Sequence, residues 1–305
     1  MDLWENITYS LIIFLSSLAN ILALIIISKA TVFHANLQCS IWWSAFSYFE
    51  LAISKVLIIT FQVVYLEKEN DAKGGMDLIK YSAVTHYMFI FTVMSAPILV
   101  VVERSLATVL LFDYERRKRR FILFSLLLFQ NSFGALLTYL TIANYLRYVT
   151  GGILAGIIAI GSLLVFFHIN KINRVTLEFV EKHNRDVKFD LSVRYQLREN
   201  VKTFQMLKTL FLTFTIMVII MAFFKVIPMI TCSNDNTKYL FRLITDMIIH
   251  AGPIYITFTL ILAVEDYRRV FLRLLGVCYD KRQIVPKTDK REEDVYFEQF
   301  LAALK

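Results

Sequence analysis

The chain has 305 residues, 57% of them hydrophobic, with a mean hydropathy of +0.57 and a formal net charge of +8. Soluble domains run nearer roughly 45–50% apolar, so this composition excludes an ordinary soluble domain and points to lipid as the solvent. The positive charge does not imply a nucleic-acid partner, because Lys and Arg gather at the ends of apolar segments, where membrane topology accounts for them.

A membrane span needs about 20 mainly apolar residues. Irregular backbone cannot face hydrocarbon, so the spans are expected to be helices. The alternating pattern of a transmembrane barrel is absent. In chain order, a first span is expected over 7–28, followed by a short loop with Lys29 and His34. A second covers 39–66, and a polar stretch over 67–77 with Gly74-Gly75 interrupts the pattern. The third covers 79–112 and runs into the basic series Arg116-Arg117-Lys118-Arg119-Arg120. The fourth covers 121–146, a tight connection covers 147–152, and the fifth covers 153–169. A long charged segment over 170–208 precedes the sixth span, 209–230. A short turn over 232–238 leads to the seventh, 239–264, and a polar tail. The expected fold is therefore all-α: a seven-transmembrane helix bundle over 1–276, with a cytoplasmic tail over 277–305.

With the amino terminus outside, the inner segments carry most of the 33 Lys and Arg, as the positive-inside rule requires. No cleavable signal peptide is evident, so the first span is read as a signal anchor. Asn6-Ile7-Thr8 is an acceptor motif for N-glycosylation on the outer side, or a chance occurrence beside the first span. Three cysteines, Cys39, Cys232 and Cys278, do not make a disulfide framework, and no internal bridge is expected. No repeat is visible, and an odd span count argues against the two inverted halves common in transporters.

Ionisable residues within spans are costly and usually face the bundle interior. Glu103-Arg104 stands at the inner end of the third span. Such a pair can hold an inactive packing by bonding to a neighbouring helix; it can also be plain positive-inside flanking with a local salt bridge. Before the sixth span, Arg194, Arg198 and Lys202 recur at i, i+4 and i+8, a basic stripe with Tyr195 and Leu197 off it. This stripe is either a docking face for a cytosolic protein or a solvated face over anionic headgroups. In the outer half of the bundle, Lys55, His86, Lys225, Asp246 and His250 line a small-molecule cavity or pair among themselves, Lys55 with Glu50 or Asp246. Pro97, Pro228 and Pro253 lie inside spans as kinks, and those in the sixth and seventh are candidate hinges.

After the seventh span, Tyr267, Val270, Phe271, Leu274 and Leu275 fall at i, i+3, i+4, i+7 and i+8 with Arg268, Arg269 and Arg273 elsewhere. This is the pattern of an interfacial amphipathic helix on membrane lipids. Cys278 beyond it is a palmitoylation candidate or a free thiol. The sequence has no His-Glu-x-x-His, no phosphate-binding glycine loop and no Gly-x-Ser-x-Gly, and Asp246/His250 has no third ligand nearby. Neither an enzyme nor a cofactor or metal site is expected.

Two motifs in these places carry a resemblance. One is Glu103-Arg104 with Ala107-Thr108, then Asp113-Tyr114-Glu115 and the basic series. The other is Leu191-Ser192-x-Arg194-Tyr195-Gln196-x-x-Glu199-Asn200. The chain resembles the nematode serpentine chemoreceptors of class epsilon, from the first span to the interfacial helix. The resemblance implies a G-protein-coupled receptor of sensory neurons that detects environmental small molecules. Glu103 and Arg104 would then be the activation switch, and Arg194, Tyr195, Gln196, Arg198, Glu199, Asn200 and Lys202 would touch a heterotrimeric G protein. Unlike rhodopsin-like receptors, the chain has no cysteine atop the third span, and Gly252-Pro253 only distantly echoes their seventh-helix proline motif. The competing readings are a ligand-gated channel subunit of inverted topology and a small-solute transporter using Lys55, Asp246 and His250 as a charge relay.

Overall fold

A computed structural model describes residues 3–30, 33, 35–61, 72–110, 120–146, 148–182, 191–231 and 234–277. Those residues form ten helices: α1 (Leu3–Lys29), α2 (Ala35–Phe46), α3 (Tyr48–Phe61), α4 (Ala72–Val109), α5 (Arg120–Ile142), α6 (Tyr148–Lys182), α7 (Leu191–Thr231), α8 (Asp235–His250), α9 (Gly252–Ala263) and α10 (Glu265–Leu274). Among the described residues, six helices are long and apolar enough to cross a bilayer, and α8–α9 makes a seventh if the bent pair is one span. The all-α bundle expected from the sequence is present.

Several boundaries differ from the expected ones for identifiable reasons. The second span is interrupted at Ser47, whose hydroxyl bonds back to the Trp43 carbonyl at 3.1 Å. Serine and threonine back-bonding of this kind bends helices. The polar stretch expected between the second and third spans is helical from Ala72, where α4 begins, so Gly74-Gly75 lies in the first turn of that helix. The segment over 170–208 is not an independent loop. The fifth helix continues to Lys182 and the sixth begins at Leu191, so the charged residues lie on helical extensions of the spans. These extensions hold together through a small apolar contact of Leu177 and Val180 with Val193 and Leu197, and an Arg198–Glu181 bridge at 3.0 Å. Pro97 and Pro228 lie within continuous helices, whereas Pro253 sits in the first turn of α9 beside a 42° bend. Proline lacks the N–H and crowds the preceding turn, so the bend falls where its ring begins a new helix.

The helix ends follow their local chemistry. Asn234 caps α8 by accepting from the Asn236 N–H at 3.0 Å. Asn144, with φ of 61°, closes α5, and Gly276, with φ of 73°, closes α10. Both residue types tolerate the left-handed conformation that ends helices.

Successive spans alternate direction, so the bundle has an amino-terminal end, where α1 begins, and a far end, where α10 lies. α4 packs against α2, α3, α5, α6 and α7 and is the central element. The largest core lies toward the far end and joins Ile26, Phe166, Phe204, Phe211, Leu260 and Tyr267. Its centre is an aromatic stack, with Phe166 4.6 Å from Phe211 and 4.9 Å from Phe204. Polar contacts join other pairs: Ser54 and Ser82 donate to each other's carbonyl oxygens at 3.0 and 2.9 Å, and Gln130 donates to the Thr92 carbonyl at 2.9 Å. At Gly134 a Cβ would lie 2.7 Å from Thr92 Oγ1, so only glycine lets α5 approach α4 this closely. Outward faces are apolar, with Phe121, Phe124, Leu128, Ile157 and Leu164 exposed. A bundle facing hydrocarbon is satisfied by that surface.

α10 has the amphipathic character expected of it. Tyr267 is buried against Phe33 with ring centroids 6.0 Å apart, while Arg269 pairs with Glu265 at 2.7 Å and Asp266 at 3.3 Å on the exposed side. Burial, and then the nearby Asp266 carboxylate, push the Tyr267 phenol above its ordinary pKa. Cys39 is a free thiol. Cys232, Cys278, His34, residues 113–115, most of the basic series and the tail lie outside the described residues. Asn6 is in the first turns of α1, half-buried, so its glycosylation motif is helical rather than in a surface loop.

Candidate functional site

Three polar or hollow regions stand out from the apolar bundle. The first is at the far end. Glu103 and Arg104 are adjacent on α4 and almost wholly buried, at 0% and 3% exposure. The Arg104 guanidinium donates two bonds to the Glu103 carboxylate, Nε to Oε2 at 2.5 Å and Nη2 to Oε1 at 2.6 Å. Its remaining arm reaches across to α7, where Nη1 is 3.5 Å from Asn200 Oδ1. The planar fork of Arg suits this double contact. One turn on, Thr108 donates to the Arg104 carbonyl at 2.9 Å and accepts from Asn173 Nδ2 of α6 at 2.9 Å. The expected pair is therefore not a solvent-exposed flank. It is the hub of a buried network joining α4, α6 and α7.

The expected docking motif divides around this hub. Gln196 and Asn200 are buried, Arg194, Arg198 and Glu199 are half-buried, and Tyr195 and Lys202 are exposed. Arg198 is engaged with Glu181, so the basic stripe is only partly presented outward. Buried oxygens on Gln196, Asn170 and Asn173 have no hydrogen-bond partner. Thr108 belongs to the first of the two motifs read from the sequence; Asn173 and Glu181 did not stand out there. The signal for Asn173 is a polar residue on the inward face of a helix that runs past its apolar span, whereas Glu181 is exposed and is marked only by its pairing with Arg198.

The second region is nearer the amino-terminal end. Lys55 of α3 lies 3.5 Å from the Asp246 carboxylate of α8 and 3.6 Å from the ring centroid of Tyr9 on α1. The Tyr9 ring also meets His250 edge-on, with centroids 5.8 Å apart. His250 is fully buried, and neither ring nitrogen has a hydrogen-bond partner. Tyr48 donates to the His250 carbonyl at 3.1 Å. The structure thus brings together Lys55, Asp246 and His250. Glu50 is half-buried and not in this group of contacts, and His86 is half-buried beside Tyr87. Lys225 is on α7, and its side chain lies outside the described residues.

The third region is a cavity of about 220 Å³ in the middle of the bundle. Its walls run from Thr141, Gly151 and Gly152 at the amino-terminal end to Ile27, Phe211 and Leu260 toward the far end. None of Lys55, His86, Asp246 or His250 lines it, whereas Tyr48, which donates to the His250 carbonyl, and Thr245, the neighbour of Asp246 in sequence, do. The walls are mainly apolar and aromatic, the usual character of a small-molecule site. Asn20, one of the few polar lining residues, was not singled out from the sequence, although an amide inside the first apolar span is a signal that could have found it. Among the described residues there is no cluster of three or more His, Cys, Asp or Glu side chains able to hold a metal.

Comparison with known proteins agrees with this architecture. The family model for the Sre G protein-coupled chemoreceptors matches residues 1–303. The chain is 25% identical to serpentine receptor class epsilon-21 of Caenorhabditis elegans over 315 residues, covering 98% of this chain and 85% of that one. It is 27% identical to class epsilon-45 of the same nematode, covering 70% and 63% of the two chains. Against class epsilon-2 the identity is 24%, over 90% and 79%. A seven-pass helical bundle with a buried acid-base hub, matched along nearly its whole length, is thus a multi-pass membrane protein of the Sre family of G protein-coupled chemoreceptors.

Proposed function

We propose that this receptor takes up an environmental small molecule from the extracellular side and signals through a heterotrimeric G protein at the far, cytosolic end. The observation that supports this most is the buried Glu103–Arg104 pair reaching Asn200 at the base of α7. It lies where α6 and α7 extend past their spans as charged helices. Separating α7 from α4 exchanges the Arg104–Asn200 contact for an exposed crevice bordered by Gln196, Asn200 and Arg104. Tyr195 and Lys202 already face outward there; together with Arg194, Arg198 and Glu199 they form the partner surface. A ligand that binds one packing better shifts the population toward it by its differential affinity. The central cavity adjoins α4, α7 and the α8–α9 bend at Pro253, the elements such a shift would move. The distribution of Lys and Arg supports an outside amino terminus and a plasma-membrane location, and α10 then rests on inner-leaflet lipids. No catalytic role is assigned. Use of Lys55, Asp246 and His250 as a transport relay has little support, since none of them lines the cavity.

The test is guanine-nucleotide exchange. Purified receptor in lipid nanodiscs is expected to accelerate nucleotide exchange on a heterotrimeric G protein several-fold above empty nanodiscs. Rates no higher than with empty nanodiscs for every G-protein subtype, together with ligand-evoked current in cells lacking them, would overturn the coupling.

A further inference from the structure

The second and seventh spans are each interrupted, and one side chain joins the two interruptions. In the second span the break falls at Ser47, and Tyr48 is the first residue of α3. In the seventh it falls at Ala251, between α8 and α9. The Tyr48 hydroxyl donates to the carbonyl of His250, the last residue of α8, at 3.1 Å.

That carbonyl is one that the bend releases. In a continuous helix the Ile254 N–H would reach it, four residues on. Here the Ile254 N–H donates to the Ala251 carbonyl at 3.0 Å instead. Pro253 brings no N–H for the Ile249 carbonyl, and the Ala251 N–H turns to it. A carbonyl freed inside a membrane bundle needs a donor from the protein, because hydrocarbon offers none. Tyr48 provides that donor from an anchored position. It is 2% exposed, and its ring meets Phe89 of α4 edge-on with centroids 6.1 Å apart. The reciprocal Ser54–Ser82 bonds hold α3 to α4. One turn before His250, Asp246 pairs with Lys55, also on α3. Beyond the bend, Thr257 of α9 donates to the Ala19 carbonyl of α1 at 3.0 Å. The bend is thus set between two anchored helices. Tyr48 and Ile249 before it, and Gly252 and Pro253 after it, all line the central cavity, so its angle shapes that cavity.

We propose that Tyr48 is a positioning residue whose hydroxyl latches the seventh span in its bent form and so sets the shape of the cavity. The competing form is straighter, with the Ile254 N–H returned to the His250 carbonyl. The two forms differ in which group donates to that oxygen. Deleting the hydroxyl leaves the carbonyl unpaired only in the bent form, and a buried polar group without its partner is costly. The balance therefore moves toward the straighter form. The latch goes beyond the receptor reading and does not depend on it. A cavity occupant that fits one form better biases the latch by its differential affinity.

The experiment uses the full chain in lipid nanodiscs, with genetically encoded nitroxide side chains at Leu240 of α8 and Leu136 of α5, both exposed. Double electron–electron resonance reads the distance between them. Tyr48→Phe keeps the ring and removes only the hydroxyl. It is expected to raise a second distance population roughly fivefold over the wild type, the weight of one neutral hydrogen bond. Pro253→Ala, which gives the Ile249 carbonyl a backbone donor, should populate the same second distance. Asn173→Leu removes a bond between α6 and α4 at the far end. It should lower the melting temperature without producing that distance. An unchanged distribution in Tyr48→Phe, a shift to a distance other than that of Pro253→Ala, or the same shift in Asn173→Leu would overturn the latch. Absence of the second distance in Pro253→Ala would overturn it too, whether or not Tyr48→Phe folds. Nucleotide exchange is measured separately. Absence of exchange in the wild type, with the distance shifts intact, would count against G-protein coupling and leave the latch standing.

Discussion

Arg104→Ala is expected to abolish receptor-stimulated nucleotide exchange and to destabilise the bundle by about 3–5 kcal/mol, the usual cost of breaking a buried ion pair from one side. The stability loss follows from burial. The Glu103 carboxylate is 0% exposed and loses both bonds from the guanidinium. The signalling loss follows from position, because Arg104 also contacts Asn200 at the base of α7. The two effects separate in the double variant Glu103→Leu, Arg104→Leu. Replacing both buried charges by apolar groups is often neutral or stabilising, so the double variant should regain most of the lost melting temperature. It should still fail to stimulate exchange. If exchange returns together with stability, Arg104 is a structural residue with no part in switching.

Asp246→Asn should be the next most damaging change away from the far end. It leaves the Lys55 ammonium, on a side chain 7% exposed, without the carboxylate 3.5 Å away. The Asp246 side chain is 34% exposed, so solvent screening reduces the loss to about 1–3 kcal/mol, below that of a fully buried pair. Lys55→Met alone should cost less, because the half-exposed carboxylate can hydrate. The double variant Lys55→Met, Asp246→Asn should be more stable than the sum of the single effects requires, giving a coupling energy of about 1 kcal/mol in a double-mutant cycle. Thermal unfolding of the four proteins measures it. Strict additivity would mean that the pair does not hold α3 to α8, and that the Tyr9 ring under Lys55 is the more important contact.

The seven traverses were legible because membrane length and the absence of backbone partners in lipid leave little choice. The Glu103-Arg104 and Tyr195–Asn200 motifs carried the family as well, and the whole-length family match bears out that resemblance. What escaped the sequence concerns continuity and pairing. Ser47 interrupts the second span, although the apolar pattern runs through it. The basic stripe from Arg194 reads as helical, but the charged stretch just after the fifth span reads as a loop; Val180 packs with Val193 and Leu197, and that extension is helical to Lys182. The ligand-pocket expectation rested on the charged residues of the outer half. In the bundle Lys55 and Asp246 satisfy each other and His250 is enclosed. The cavity walls are apolar residues such as Met94, Phe214 and Ile256. In sequence these cannot be told from the apolar residues that face lipid, since a membrane helix is hydrophobic on every side.

Coupling at the far end requires that end to face the cytosol. An epitope tag at the amino terminus, tested with antibody on intact and permeabilised cells, measures this most directly. The amino-terminal tag should label on intact cells and a carboxyl-terminal tag only after permeabilisation, which places Arg104, Tyr195 and Lys202 within reach of a G protein. Labelling of the carboxyl terminus on intact cells, with the amino terminus protected, would contradict this orientation and favour a channel of inverted topology.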